Sequence, residues 1–287
     1  MRRSPLSSLS GLPRKLYRRS RARSRARAES RLEPRLRVDF DAPELLLSPH
    51  WDDAVLDCWS LLSGDRQLNV LNLFAGVPPG GRTSVWEAVS GARDSAERAR
   101  LRSAEDARAL ARAGRAPLSL ALLDAQYRRP ASALDLRELD RAVSDAVPSA
   151  SRVYVPAGIG GHADHLLARR YGRLLLQTGM PVTLYADLPY CIFHGWPPWV
   201  DGGEPAANRN VDAYWEVFLR DVPEMPPLRS AEVERLDGPT AAAKLEAIDC
   251  YETSLNYGVR QLLSNPAFHG FEVHWQLLEP GVDRHDR

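Results

Sequence analysis

The sequence predicts an α/β protein: a mostly parallel sheet with helices on both faces and an irregular C-terminal rim. Three observations carry that expectation. Short apolar runs of strand length alternate with stretches of helical spacing between residues 44 and 190, the order from which parallel sheets are built. Gly114 and Gly179 stand just past two of the helical stretches, where a C-cap is wanted. The last third then loses the alternation in the Pro/Trp-rich run HGWPPWVDGGEP.

The elements follow in order. ELLLS (44–48) is a short buried strand, broken by Ser48-Pro49, and DDAVLDCWSLL then reads as an amphipathic helix. NVLNLFAGV (69–77) is a second strand, followed by the loop PPGGRTS. ARLRSAEDARALARAG (99–114) has helical spacing, and LSLALLD (118–124) is a third strand ending in an aspartate. LDLRELDRAVSDAV (134–147) is a helix, RVYVPAG (152–158) a strand, HADHLLARRYGRLLLQTG (162–179) a helix, and PVTLYADLPY (181–190) a fifth strand. Two helical stretches and a late strand, FEVHWQLL, complete the chain. No internal repeat is visible.

Of the 287 residues, 44% are hydrophobic and 26% charged, which places the chain among ordinary globular proteins. No apolar run approaches the roughly 20 residues that span a bilayer, and no apolar segment follows the N-terminal arginines as it would in an export signal. Cys58, Cys191 and Cys250 form neither a disulfide framework nor a CxxC pair; the expected compartment is reducing cytoplasm. The net charge of +1 conceals an arginine-dominated run, RKLYRRSRARSRARAESRLEPRLR. Residues 1–38 are therefore expected to be a solvated, disordered tail and residues 39–287 one domain. The tail offers weak contact with an anionic membrane surface. It lacks the interleaved aromatics that stack bases, so no nucleic-acid partner is expected. Lysine occurs only at Lys15 and Lys244 against abundant arginine, which points to a GC-rich bacterial genome.

Chemistry concentrates at two strand ends. SPHWDD places His50, Asp52 and Asp53 in the loop after the first strand and in the first helical turn. One helix N-cap explains one aspartate; it does not explain a second carboxylate and an imidazole. GGHADH repeats the arrangement after the fourth strand, with His162 and His165 spaced i,i+3 around Asp164. A parallel sheet puts both clusters on one edge, where such folds bind ligands. Imidazole and carboxylate donors without thiolate suit Zn²⁺ or another first-row divalent ion. Five candidate groups exceed the three protein ligands of a catalytic zinc site, which leaves residues for proton transfer. His194, His269, His274 and His285 have no such paired spacing, and His274 reads as structural. Trp196 and Trp199 fit either stacking on a ligand or packing over the rim. Asp187 and Tyr190, in ADLPY at the end of the fifth strand, are candidate lining residues.

SPHWDDAVL and GGHADH resemble the P-H-x-D-D and H-x-D-H motifs of the PIG-L/LmbE-like zinc N-deacetylases. RLRSAEDARALARAG, LLDAQYR and KLEAIDCYETS resemble the family's R-x-x-E helix, Asp loop and late K…Y-x-S helix. The resemblance runs from about residue 43 to the C-terminus. It implies a Rossmann-like sheet and removal of an N-acyl group, acetyl first, from an amino sugar or glycoconjugate. It implies zinc on His50, Asp53 and His165, with iron(II) able to occupy the same ligands. By the same resemblance Asp52 is the general base, and His162, oriented by Asp164, is the acid and oxyanion partner. Arg102 and Asp124 match positions that contact sugar hydroxyls, although Arg102 serves equally well in a helix-surface ion pair with Glu105 or Asp106. The chain departs from the pattern at Trp51, where many members have Pro, at Ala54, which replaces a frequent Glu, and at Gly160, where some carry a carbonyl-polarising tyrosine. Two alternatives stay open: an amidase acting on a larger acyl group or thiol conjugate, and a binding protein that keeps the fold without turnover.

Overall fold

A computed structural model of the chain describes residues 32–128, 134–204 and 209–279. The proposed tail, up to residue 31, and His285 lie outside the described residues. A break in the chain's internal contacts falls after Pro34, and Arg35 begins the second unit. Residues 35–38 are anchored to the second unit. Leu36 is buried, the Arg35 amide donates to the Asp140 carboxylate at 3.0 Å, and β1 (Arg37–Val38) pairs in parallel with β5 (Ser149–Ala150).

The main sheet has seven described strands in the order β4-β3-β2-β6-β7-β9-β8. These are β2 (Glu44–Ser48), β3 (Leu68–Asn72), β4 (Pro117–Ser119), β6 (Val153–Pro156), β7 (Val182–Tyr185), β8 (Glu232–Arg235) and β9 (Phe271–Gln276). The first five run parallel; β9 pairs antiparallel with β7, and β8 antiparallel with β9. The interior strands β6 and β7 are buried at every position, as expected of strands covered on both faces. The edge strand β8, EVER, is mostly exposed and charged, which blunts edge-to-edge pairing.

From β2 the chain winds through β3 to β4 in one direction, and from β6 to β7 in the other. Right-handed crossovers then put the two sets of helices on opposite faces. Helix Ser95–Ala111 and helix Asp53–Asp57 both pack against helix Gly238–Ile248, whereas helix Leu136–Ala146 packs against helix Ala163–Leu176. The sheet reverses direction between β2 and β6, and a crevice opens outside their carboxyl ends.

Three expected elements come out differently. The helix after Pro49 is two short ones, Asp53–Asp57 and Trp59–Ser63, because Cys58 leaves helical geometry. The freed amides of Trp59 and Ser60 donate to the Glu272 carboxylate at 2.7 and 3.0 Å, and Lys244 Nζ donates to the same carboxylate at 2.7 Å. The second strand stops at Asn72 and the third at Ser119, where both chains turn toward the crevice. Gly76 permits that turn: a Cβ there would lie 2.5 Å from the Ala121 carbonyl oxygen. Strand β8 carries no alternating apolar pattern and was not legible in sequence.

Candidate metal centre and hydrolytic site

The turn after β2 is tied by short-range bonds. The buried Ser48 hydroxyl donates to the His50 carbonyl at 2.6 Å and accepts from the Ala54 amide at 3.1 Å. Asp53 folds back, and its Oδ2 accepts from the His50 amide at 2.7 Å. Across the crevice, the loop after β6 passes through Gly158, Gly160 and Gly161, all at positive φ, a region that favours glycine. It delivers His162 to the N-cap of helix Ala163–Leu176, with His165 in the first turn.

The two loops bring the histidines into one cluster. Ring centroids lie 4.8 Å apart for His50 and His162, 5.3 Å for His50 and His165, and 5.1 Å for His162 and His165. Donor nitrogens of all three fall within 4.8 Å of one another. Asp53 touches two of them, with Oδ2 3.4 Å from His50 Nδ1 and Oδ1 3.4 Å from His165 Nε2. A second overlapping group comprises His50, Asp124, His162 and Asp164.

This donor set fits a divalent metal ion. His165 Nε2 is buried and has no hydrogen-bond partner, while its Nδ1 is engaged by Asp187 at 2.7 Å. Burial opposes protonation of His50 and His165, yet the surrounding carboxylates (Asp164 and Asp53 around His50, Asp53 and Asp187 around His165) raise both above the ordinary imidazole range. Burial likewise works against ionised Asp53, but His165 and His50 hold it below the usual carboxylate range. A pocket that draws positive charge onto its imidazoles is one in which a cation replaces protons.

Asp52 points the other way. Its Oδ1 lies 3.4 Å from an Arg102 guanidinium nitrogen, and burial pushes its carboxyl up while Arg102 pulls it down. Arg102 stacks 5.0 Å over the Trp51 ring and donates from Nε to Ser254 Oγ at 3.3 Å. Its ion-pair partner is thus Asp52, not Glu105 or Asp106. Glu105 instead accepts from the Thr253 and Ser254 amides at 2.7 and 3.0 Å.

Two expected arrangements are corrected. Asp164 does not present its carboxylate to His162. Its oxygens accept from the Ala125 amide at 2.8 Å, face His50 Nε2 at 3.2 Å and pair with Arg128. Its hydrogen bond to His162 comes from the backbone amide, which donates to Nδ1 at 3.3 Å, and a carboxylate oxygen lies within 4.8 Å of a His162 nitrogen without bonding it. Burial and the neighbouring His50 and His165 push His162 down to about 4, so it is neutral rather than cationic. Asp187 is not a cavity-lining residue. It is fully buried behind His165, and its carboxylate accepts from the Gly158 and Ile159 amides.

A cavity of about 390 Å³ opens over the cluster. His50, Asp52, Asp53, Arg102, Asp124 and His162 are among its polar lining residues, and Leu188, Pro189, Phe193, Leu255 and Val259 among its apolar ones. Tyr190 also lines it, and a Cβ at Gly160 would lie 2.6 Å from Tyr190 Cβ. The glycine and the tyrosine therefore occupy complementary space. Trp196 and Trp199 lie outside, edge-on to Trp215, and pack the rim. Arg98, Ser254 and Val259 line the cavity without having been singled out. Arg98 stands one turn before Arg102 on the same helix, and that i,i+4 relation was its signal.

No family model matches the sequence. The 2'-N-acetylparomamine deacetylase of Streptomyces fradiae is 34% identical over 167 residues, which is 51% of this chain and 57% of that protein. The chain thus spans little more than half the length of that relative. A triple mutant of a deacetylase of the teicoplanin biosynthetic pathway superimposes with a TM-score of 0.62 at 23% identity, covering 84% of this chain and all of that one. The A40926 pseudoaglycone deacetylase gives 0.59 at 21% identity, covering 85% of this chain and all of its own. At these identities the likeness establishes the fold: a mixed α/β protein with a central sheet flanked by helices.

Proposed function

We propose that the chain is a member of the PIG-L/LmbE-like deacetylase family and a metal-dependent amide hydrolase. It removes an N-acyl group, most simply acetyl, from an amino sugar or glycoconjugate, as a cytoplasmic bacterial enzyme. The observation that carries the reading is the juxtaposition of His50, Asp53 and His165 beside a separately held Asp52. The relative with 34% identity is named as a deacetylase of 2'-N-acetylparomamine, which supports an N-acetylated substrate.

His50, Asp53 and His165 would hold the ion, zinc first and iron(II) as the other candidate. When bound, the ion supplies Lewis acidity, acidifying water toward neutral pH and polarising a carbonyl. The chain's own residues do the rest. Asp52, oriented by Arg102, takes the proton of the attacking water. Neutral His162 accepts at Nδ1 from the Asp164 amide, which leaves its proton on Nε2. From there it hydrogen-bonds the developing oxyanion, while the Asp52 carboxyl returns the water's proton to the departing amine nitrogen as the C–N bond breaks. The products are a carboxylate and a free amine. Arg102 and Asp124 line the cavity where sugar hydroxyls would lie.

The apolar lining residues Leu188, Pro189, Phe193, Leu255 and Val259 favour a second reading, an amidase acting on a larger acyl group or conjugate. Metal content and acetate release from a panel of N-acetylated sugars test the first. About one zinc per chain, lost in His165→Ala, together with acetate release establishes it. Bound metal without acetate release shifts the assignment to larger acyl groups, and absence of metal under replete conditions refutes it.

A further inference from the structure

Asp187 lies at the end of β7, a third strand end beyond the two that carry the histidine motifs, and has no exposed surface. Its carboxylate accepts two backbone hydrogen bonds and faces one imidazole nitrogen. Oδ1 takes the Gly158 amide at 3.0 Å and faces His165 Nδ1 at 2.7 Å, and Oδ2 takes the Ile159 amide at 2.8 Å. Both amides belong to the loop that leads through Gly160 and Gly161 to His162. Both Asp187 oxygens accept backbone amides, and the ring nitrogen facing Oδ1 at 2.7 Å is placed to donate to it. With Nδ1 as the donor, the lone pair of His165 is left on Nε2, a buried atom that makes no hydrogen bond and lies 3.4 Å from Asp53 Oδ1.

We propose that Asp187 is the positioning residue of the metal centre. It fixes both the tautomer and the ring orientation of His165, and the same carboxylate clamps the loop that carries His162. The inference rests on the metal-site reading of the previous section and adds a residue that lies outside the cavity. Carboxylates behind metal-binding histidines act in this way by raising ligand basicity and removing rotational freedom, and their loss typically costs 10–100-fold in metal affinity.

The test uses the full chain as wild type, Asp187→Asn and Asp187→Ala. Zinc affinity is measured by competition with a chromophoric chelator, the cobalt(II)-substituted visible spectrum reports the ligand field, and metal-free thermal unfolding reports the loop clamp. Asp187→Asn is expected to weaken zinc binding about 10–100-fold and to shift the cobalt(II) bands. Zinc affinity and cobalt spectrum equal to wild type, with only a lowered unfolding temperature, would reduce Asp187 to a loop clamp and overturn the proposal. If neither variant folds, the imidazole ¹⁵N shifts of metal-free wild type decide. A proton on His165 Nδ1 upholds the proposal, and a proton on Nε2 alone overturns it. Wild type that binds no zinc sinks the metal reading itself, whereas wild type that binds it beside an unchanged variant sinks only this inference.

Discussion

Asp52 and Asp53 are adjacent in the chain and buried alike, yet they face different partners. Asp53 meets two imidazoles, and Asp52 meets a guanidinium. Their replacement therefore has separable consequences. Under the proposed mechanism Asp53→Asn is expected to lose bound metal, read by elemental analysis. Asp52→Asn keeps it and loses about 10²–10⁴-fold in turnover, the usual scale of general acid–base help. Retention of wild-type turnover by Asp52→Asn would remove it from the mechanism. The motifs made both aspartates visible as a pair. The partner of each could not be seen in sequence, because Arg102 and His165 reach them from elements about 50 and 112 residues away.

At the scale of elements, helix Ser95–Ala111 is stitched to the C-terminal segment that closes the cavity. Glu105 holds the Thr253 and Ser254 amides and the Ser254 hydroxyl, and Asp106 accepts from Tyr251 at 2.9 Å and Asn72 at 2.6 Å. Lys244 and Glu272 form a fully buried ion pair. Breaking such a pair strands a charge in the interior, so Lys244→Met is expected to cost about 3–5 kcal/mol, read from denaturant unfolding. A loss below about 1 kcal/mol, the scale of an exposed pair, would contradict that account. Burial raises the Asp106 carboxyl from 3.8 to about 7, against the pull of its Asn72 and Tyr251 hydrogen bonds. The folded chain then holds this proton to higher pH than the unfolded chain. Its stabilising contribution is complete below about 3.8 and is lost as pH rises through about 7. The stability of wild type relative to Asp106→Asn should fall across that window in urea titrations. A constant difference would mean that Asp106 is ionised throughout.

For the whole molecule, the reversal of strand order between β2 and β6 places the crevice, and both histidine loops project into it. The unit that begins at Arg35 contains every group of the proposed site. Removal of residues 1–31 is therefore expected to leave turnover of a soluble N-acetylated sugar and the unfolding temperature unchanged. Loss of activity on vesicle-bound substrate alone would assign the basic segment to anionic-membrane contact, and loss on the soluble sugar would tie it to the catalytic unit. Among the described residues no helix is long and apolar enough to cross a membrane.

The chain's own pattern determined the alternation of strand and helix, the two His/Asp loops at strand ends and the chemical class of the donor set. These depend on local spacing and residue type, which sequence displays directly. Tertiary structure decided what depends on contacts between distant elements. Asp164 turned to His50 and Arg128 instead of His162, Arg102 went to Asp52 instead of its helical neighbours, and Asp187 went behind His165 instead of into the cavity. A buried carboxylate settles where the most donors converge. Those donors come from loops 20 to more than 100 residues apart, brought together only when the parallel strands line up their carboxyl ends.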